Sequence, residues 1–299
     1  MPGGRSIAFA VALCRTVCAV LAVEPEPTPP PRSQTADAPA PDKSQFTLWN
    51  ATPSEHLREM NALYDSPWTV DAGHLQLETY AVSYAHNHST QWGADTTSDL
   101  WSAGAFSLKA GVLNNLDAEV SWTPSSWVRQ RDNNTGLTTR LQGFGDVIAR
   151  FKLNLWGNDG GATALAVLPF VKLPTNQDDL GNHHVEGGLV VPCGVELPGG
   201  WWMILINEFH CLHGFYDDSY HPAFASTVYL WHQIHGNLSG FVDFYSWASV
   251  ERGVPWWGSV DVGLTYLWSK NVQLDLGLSV GVSGAADDVN PYLGVSFRF

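Results

Sequence analysis

The sequence predicts an all-β fold: an antiparallel, transmembrane up-and-down β-barrel of about twelve strands, preceded by a short periplasmic N-terminal segment. Three observations predict it. The chain ends on Val289-Asn-Pro-Tyr-Leu-Gly-Val-Ser-Phe-Arg-Phe299. There Leu293, Val295, Phe297 and Phe299 share one face, and Tyr292, Gly294, Ser296 and Arg298 share the other, a period-two strand with a terminal aromatic. Ends of soluble domains fray, whereas a strand that closes a barrel in hydrocarbon cannot, because unpaired backbone is too costly there. The second observation is composition. Of 299 residues 44% are hydrophobic and only 15% charged, with 14 Trp, yet beyond the N-terminus no run approaches the roughly 20 apolar residues of a spanning helix. A helical membrane protein is thereby excluded. The third observation is the alternation of short and long connections between period-two segments, the pattern of short periplasmic turns opposite longer outer loops.

The elements follow in chain order. Residues 1–22 read as a signal peptide, with Arg5 at its start, an apolar core over Ser6–Leu21 and small residues at Val20-Leu-Ala22. Residues 23–53 read as a linker, Pro-rich from Glu24 to Pro41 and extended. The barrel with its N-terminal segment occupies 54–299; within the segment Ser54 caps a short expected helix, Glu55 to Ala62. Twelve strands are expected at roughly 74–84, 100–112, 115–124, 143–156, 162–173, 184–197, 201–214, 222–233, 237–249, 257–268, 271–283 and 289–299. Joins after even-numbered strands are short; those after the first, third and fifth, around 85–99, 125–142 and 174–183, are longer. Tryptophans fall at strand ends: Trp156, Trp201, Trp202, Trp231 and Trp268 at the periplasmic end, and Trp92, Trp101, Trp122, Trp127, Trp247, Trp256 and Trp257 at the other. Two aromatic girdles flanking an apolar band require this, whereas a soluble sandwich buries Trp at strand centres.

Removing Arg5 and Arg15 with the signal leaves 13 basic against 29 acidic residues, a net charge near −16. Such acidity disfavours nucleic acid as a partner and favours cations or neutral solutes at a pore. Cys193 and Cys211 remain. Across the Pro198-Gly-Gly200 turn Cys193 falls opposite roughly residue 205, which leaves Cys211 about 20 Å away at 3.3 Å per residue, too far for a disulfide.

Leu57-Arg-Glu-Met60 followed by Ser66-Pro-Trp-Thr-Val-Asp-Ala-Gly-His-Leu-Gln-Leu-Glu78 resembles the N-terminal signature of a family of bacterial outer-membrane proteins labelled "putative MetA-pathway of phenol degradation" or "transporter". Gly143-Phe-Gly-Asp-Val147 with Lys152, Leu168-Pro-Phe-Val-Lys-Leu-Pro174 and Gly294-Val-Ser-Phe-Arg-Phe299 also resemble its motifs. Where relatives carry an Asp-Arg-Pro-Asp-like run, this chain reads Asn61-Ala-Leu-Tyr-Asp65. The resemblance implies an outer-membrane location and links the chain loosely to uptake of aromatic compounds.

The alternation places Glu78, Lys109, Asp146, Arg150, Lys152, Glu186, Glu208, Asp243, Asp261, Asp275 and Arg298 on the inward face, with Tyr80, Tyr245 and Tyr292 beside them. Charges on the lipid face would cost about 2–4 kcal/mol near the midplane, so confinement to one face is what a barrel needs. These fourteen are the expected lumen-lining residues, acting as a polar conduit or pairing across the lumen as a plug. Asp117, Glu119 and Glu196 fall on the same face. His86, His88, His183, His184, His210, His213 and His221 gather towards the outer loops; loop proximity alone makes no metal site, and none is expected. Nor are catalytic residues or a cofactor: His88-Ser89 lacks an orienting third group and no Gly-x-Ser-x-Gly elbow occurs. The expected function is passive passage of small solutes, aromatic or hydrophobic ones included, across a bacterial outer membrane. The alternatives are a structural or adhesive barrel with an occluded lumen, and an outer-membrane lipid hydrolase. Expected partners are outer-membrane lipid, the solute, and the barrel-assembly machinery, which would engage the C-terminal strand.

Overall fold

The structure, a computed structural model, describes residues 42–60, 62, 65–90 and 93–299. The expected signal peptide, most of the expected linker and Trp92 lie outside the described residues. Fourteen strand segments form one closed antiparallel sheet: β1 (Leu75–Ser89), β2 (Thr96–Leu113), β3 (Leu116–Trp122), β4 (Ser125–Asp132), β5 (Thr138–Gly143), β6 (Val147–Trp156), β7 (Thr163–Leu173), β8 (Glu186–Leu197), β9 (Trp201–His213), β10 (Tyr220–His235), β11 (Leu238–Ser249), β12 (Trp257–Ser269), β13 (Val272–Gly281) and β14 (Asn290–Arg298). The barrel itself has twelve strands, as expected. β3 and β4 are one strand interrupted at Thr123-Pro124, since β2 pairs with β3 along its C-terminal half and with β4 along its N-terminal half. Pro124 has no N–H to give the ladder. β5 and β6 are likewise one strand, broken at Phe144–Asp146.

The C-terminal strand closes the barrel. β14 pairs with β1 from Gln76↔Arg298 to Ser83↔Tyr292, and Phe299 N–H donates to Leu75 O at 2.8 Å. Inward and outward positions alternate as the sequence requires; on β13, for instance, Gln273, Asp275 and Ser279 are buried while Leu274, Leu276, Leu278 and Val280 are exposed. An irregularity between Tyr80 and Val82 shifts the phase of β1, so Gln76, Glu78 and Tyr80 and then Ser83 and Ala85 face inward. Cys193 pairs with Leu205 and Cys211 with Gly187, and both thiols are free.

Four expectations need correction. The stretch 125–142, expected as a loop, is the β4–β5 hairpin, which continues the barrel wall outward. Its alternation reads Trp127, Arg129, Arg131 against Ser126, Val128, Gln130, and its polar outer face gave it the look of a loop. No helix forms over 55–60 of the expected 55–62. Eight residues are too few to repay nucleation alone, and the lumen takes the backbone groups instead: Arg58 N–H donates to Asp71 Oδ2 at 3.0 Å, and Arg298 Nη1 donates to Arg58 O at 2.7 Å. The expected linker ends early, since Lys43, Phe46 and Thr52 are already buried against the barrel. The girdles are thinner than expected. Trp202, Trp231 and Trp257 are buried inside, while Trp156, Trp201 and Trp268 at one end and Trp101, Trp127 and Trp256 at the other are exposed. Adjacent residues on a strand point oppositely, so of the pair Trp201/Trp202 on β9 one ring must enter, and Trp257 shares the inward phase of Ser259 and Asp261 on β12.

Candidate functional site

The candidate site is the lumen, and it is filled by the N-terminal segment from the end at which β1 begins. Asp65, Ser66, Trp68, Thr69, Val70, Asp71 and Ala72 are all buried within the barrel. An extended segment there carries backbone groups that water cannot reach, so the wall must supply partners. It does. Asn154 Nδ2 donates to Pro67 O at 2.7 Å, Lys152 Nζ to Trp68 O at 3.3 Å, Thr69 N–H to Asn158 Oδ1 at 3.0 Å and Val70 N–H to Asp117 Oδ2 at 3.0 Å. Two ionic anchors flank this run. Arg150 Nη1 lies 2.9 Å from Asp65 Oδ1, and Arg58 Nε lies 3.0 Å from Asp71 Oδ1, where Lys43 and Arg298 also approach at 3.8 and 3.7 Å. Trp68 adds an apolar anchor, edge-on to Trp202 with ring centroids 5.2 Å apart, and its indole N–H donates to Gly157 O. Gly111 makes room: a Cβ there would fall 2.1 Å from Asp71 O.

Behind the segment, one wall carries alternating charge. Lys109 Nζ is 2.7 Å from Glu78 and Lys152 Nζ 3.0 Å from Glu119, with the register placing Lys109 against Glu119 and Lys152 against Asp117. Carboxylates and cations thus neutralise each other across β1, β2, β3 and β6, which buried charge requires. The wall formed by β7 to β11 differs. Its buried inward side chains include Ala164, Ala166, Leu168, Val190, Ile204, Ile206, Tyr229, Trp231 and Phe241. Further round, Asp243 and Asp261 face each other directly on β11 and β12, both buried, with no cation paired to either among the described residues.

The outer end is narrowed by two connections. In the β7–β8 connection Leu180 is fully buried, and Asn176 N–H donates to Asp146 Oδ1 at 3.0 Å. Lys172 holds its base, 3.3 Å from Asp146 and 2.7 Å from Glu186. In the β13–β14 connection Asn87 Nδ2 donates to Ala286 O at 2.6 Å, and Ala286 and Asp287 are buried. Burial pushes the Asp287 carboxyl up to about 7; neighbouring Asp288 adds to the rise and His86 opposes it.

The structure buries all fourteen of the sequence-singled residues in the barrel interior. Glu78, Lys109, Asp146, Arg150, Lys152 and Glu186 join the ion pairs above, and Arg298 the Asp71 cluster. Glu208 lies 3.0 Å from His210 and Asp275 accepts from Gln273 at 2.7 Å. The tyrosines pack in aromatic pairs, Tyr80 on Tyr292 at 5.2 Å and Tyr245 on Trp257 at 5.0 Å. Sequence reasoning missed Asp65, Trp68 and Asp71, which bring the segment and the wall together. They lie within the Ser66–Glu78 signature or beside it, so the signal was visible without its cause.

The outer histidines sit beside separate acids rather than around a common point: His86 by Asp99, His88 by Asp95, His183 by Asp179, His213 by Asp218 and His221 by Asp217, each within about 3 Å. His184 stacks on His213 with centroids 3.4 Å apart. Ser219, His221 and Asp217 touch one another, but serine and aspartate meet the same imidazole nitrogen, Nε2, at 3.0 and 2.8 Å. A relay needs one nitrogen for each partner, so this trio is not arranged for nucleophilic catalysis.

The putative MetA-pathway of phenol degradation family model matches residues 64–299. The chain belongs to that family. Its matched span begins at the segment held in the lumen and ends at the closing strand. Among solved structures, the COG4313 outer membrane channel from Pseudomonas putida F1 is similar at 13% identity with a TM-score of 0.58, over 76% of this chain and 95% of that one. The translocator domain of autotransporter NalP from Neisseria meningitidis is similar at 11% identity with a TM-score of 0.49, over 75% and 88%. At such identities the first likeness speaks to fold, an outer-membrane-type barrel. No curated protein matches the chain.

Proposed function

We propose that this barrel resides in a bacterial outer membrane and lets small solutes, aromatic or hydrophobic ones included, pass without covalent chemistry. The observation that carries this reading is the asymmetry of the lumen. A charged wall is neutralised by its own pairs and by the N-terminal segment, while the opposite wall carries an apolar band of Leu168, Val190, Ile204, Ile206 and Trp231 on β7 to β10, beside the charged Lys172, Glu186 and Glu208. A water-filled pore has little use for buried Leu168, Ile204, Ile206 and Trp231; an apolar solute sliding along that wall would be matched by them. The segment then acts as a gate, held by a few polar anchors that can be released, and outer-membrane lipid surrounds the exposed apolar band.

A second reading, an occluded structural barrel, draws on the inward-folded outer connections. Planar-bilayer recordings of the purified barrel separate the two. Discrete conductance steps, reduced by small aromatic solutes, are expected; silence from a folded, heat-modifiable barrel would overturn the passage reading and leave the occluded one.

A further inference from the structure

We infer that the outer face of the β4–β5 hairpin, with the adjoining ends of β1 and β2, is a docking site for a phosphorylated glycolipid of the outer leaflet. The registers stack three outward rows across the four strands. The lowest is Tyr84, Trp101, Trp127, Gln142; the next is His86, Asp99, Arg129, Arg140; the highest is His88, Thr97, Arg131, Thr138. Trp101 and Trp127 are exposed, and the Tyr84 and Trp101 rings lie 4.6 Å apart. Exposed aromatic rings in a row on a barrel's outer wall mark the head-group level. Each higher row stands two residues further out, about 7 Å at the strand rise. Arg129 and Arg140 therefore sit just above the acyl chains, and Arg131 one row beyond.

Charge makes the patch specific. Of the twelve lysines and arginines among the described residues, seven are buried in or against the lumen. Of the five exposed, Arg129, Arg131 and Arg140 share this one face, while Arg252 and Lys270 lie in separate connections. The chain as a whole carries −14, so a cluster of three exposed arginines stands out against an acidic protein as the place where an anionic head group is attracted. Arg129 and Arg140 are direct cross-strand partners, an arrangement that destabilises a sheet unless an anion sits between them. Asp99 relieves Arg129 only in part, at 3.7 Å, and is itself engaged by His86 at 2.9 Å and Tyr84 at 2.7 Å. Arg131 and Arg140 have no ion pair among the described residues. Guanidinium groups on a rigid strand pair present the forked donors that phosphate oxygens accept, and the aromatic row beneath meets the glycolipid's first methylenes. A lipid provides both contacts at this height; a free anion provides only one.

This inference rests on the outer-membrane placement proposed above, which cell fractionation tests independently. Binding would be measured by native mass spectrometry of the purified full-length barrel against diphosphoryl lipid A, its dephosphorylated form and inorganic pyrophosphate. The intact protein is expected to bind the diphosphoryl form at least ten-fold more tightly than the dephosphorylated one. R129Q/R131Q/R140Q should lose that preference and R252Q should keep it. R140Q alone, on a hairpin beyond the barrel, should lose about three-fold, and heat-modifiability checks that each variant is folded. A folded triple variant that keeps the preference, or pyrophosphate displacing lipid A at equal concentration, would overturn the proposal.

Discussion

The gate reading stands or falls on the Arg150–Asp65 contact, and Asp65→Ala tests it. Both side chains are buried, 2.9 Å apart, and Asp65 opens the buried run that enters the lumen. Removing Asp65 deletes one charged hydrogen bond, worth about 1.5–3 kcal/mol. Arg150 is not left stranded, because Glu119 beside it in the register and nearby Glu208 remain to face it. Arg150→Met is the harsher change. It leaves the buried Asp65 carboxylate without its hydrogen-bonded cation, at about 3–5 kcal/mol. If the segment undocks as a unit, these costs multiply its open population by about 10–150-fold for Asp65→Ala and by more for Arg150→Met, at 1.4 kcal/mol per decade. Limited proteolysis reads that population directly when reclosing outpaces cleavage, with Arg58 as the trypsin site. Equal cleavage of wild type and both variants, with the barrel still heat-modifiable, would refute the idea that this pair holds the segment in place.

Other outcomes follow from the same geometry. Gly111→Ala puts a methyl 2.1 Å from Asp71 O without removing any charge, so it should raise conductance and proteolysis of the segment while leaving thermal unfolding of the barrel unchanged. Trp68→Ala loses its contact with Trp202 and leaves a cavity, and should cost about 3–5 kcal/mol in segment docking, measured by the same proteolysis. Asp243→Asn relieves two facing buried carboxylates and should stabilise the barrel by about 1 kcal/mol or more, read as a higher heat-modification temperature. Asp287 has a folded pKa raised to about 7 from 3.8. The inward position of its connection is therefore fully stabilised below about pH 4 and progressively weakened as pH rises through about 7. Hydrogen exchange over 283–288 should quicken from pH 5 to pH 8 beyond the intrinsic rate, and Asp287→Asn should remove that excess.

Much of this molecule was determined by sequence alone. Strand positions outside 125–142, strand number, barrel closure and the inward set of charged residues are legible from a period of two and its turns, because a strand in lipid has no freedom to mix its faces. The pairing of Cys193 with residue 205 came from one turn and a fixed rise per residue. What only the tertiary structure decided is what fills the lumen. Nothing local marks Asp65 to Ala72 as buried: Asp65, Thr69 and Asp71 are polar, with no apolar periodicity, and the wall partners of Asp65, Thr69 and Val70, which are Arg150, Asn158 and Asp117, lie 85, 89 and 47 residues away. A segment held by scattered side chains from a closed wall becomes legible only when the wall is closed. The same holds for Arg129 and Arg140. In sequence they are two of several charges in an outer loop; the hairpin register alone sets them face to face above a row of tryptophans.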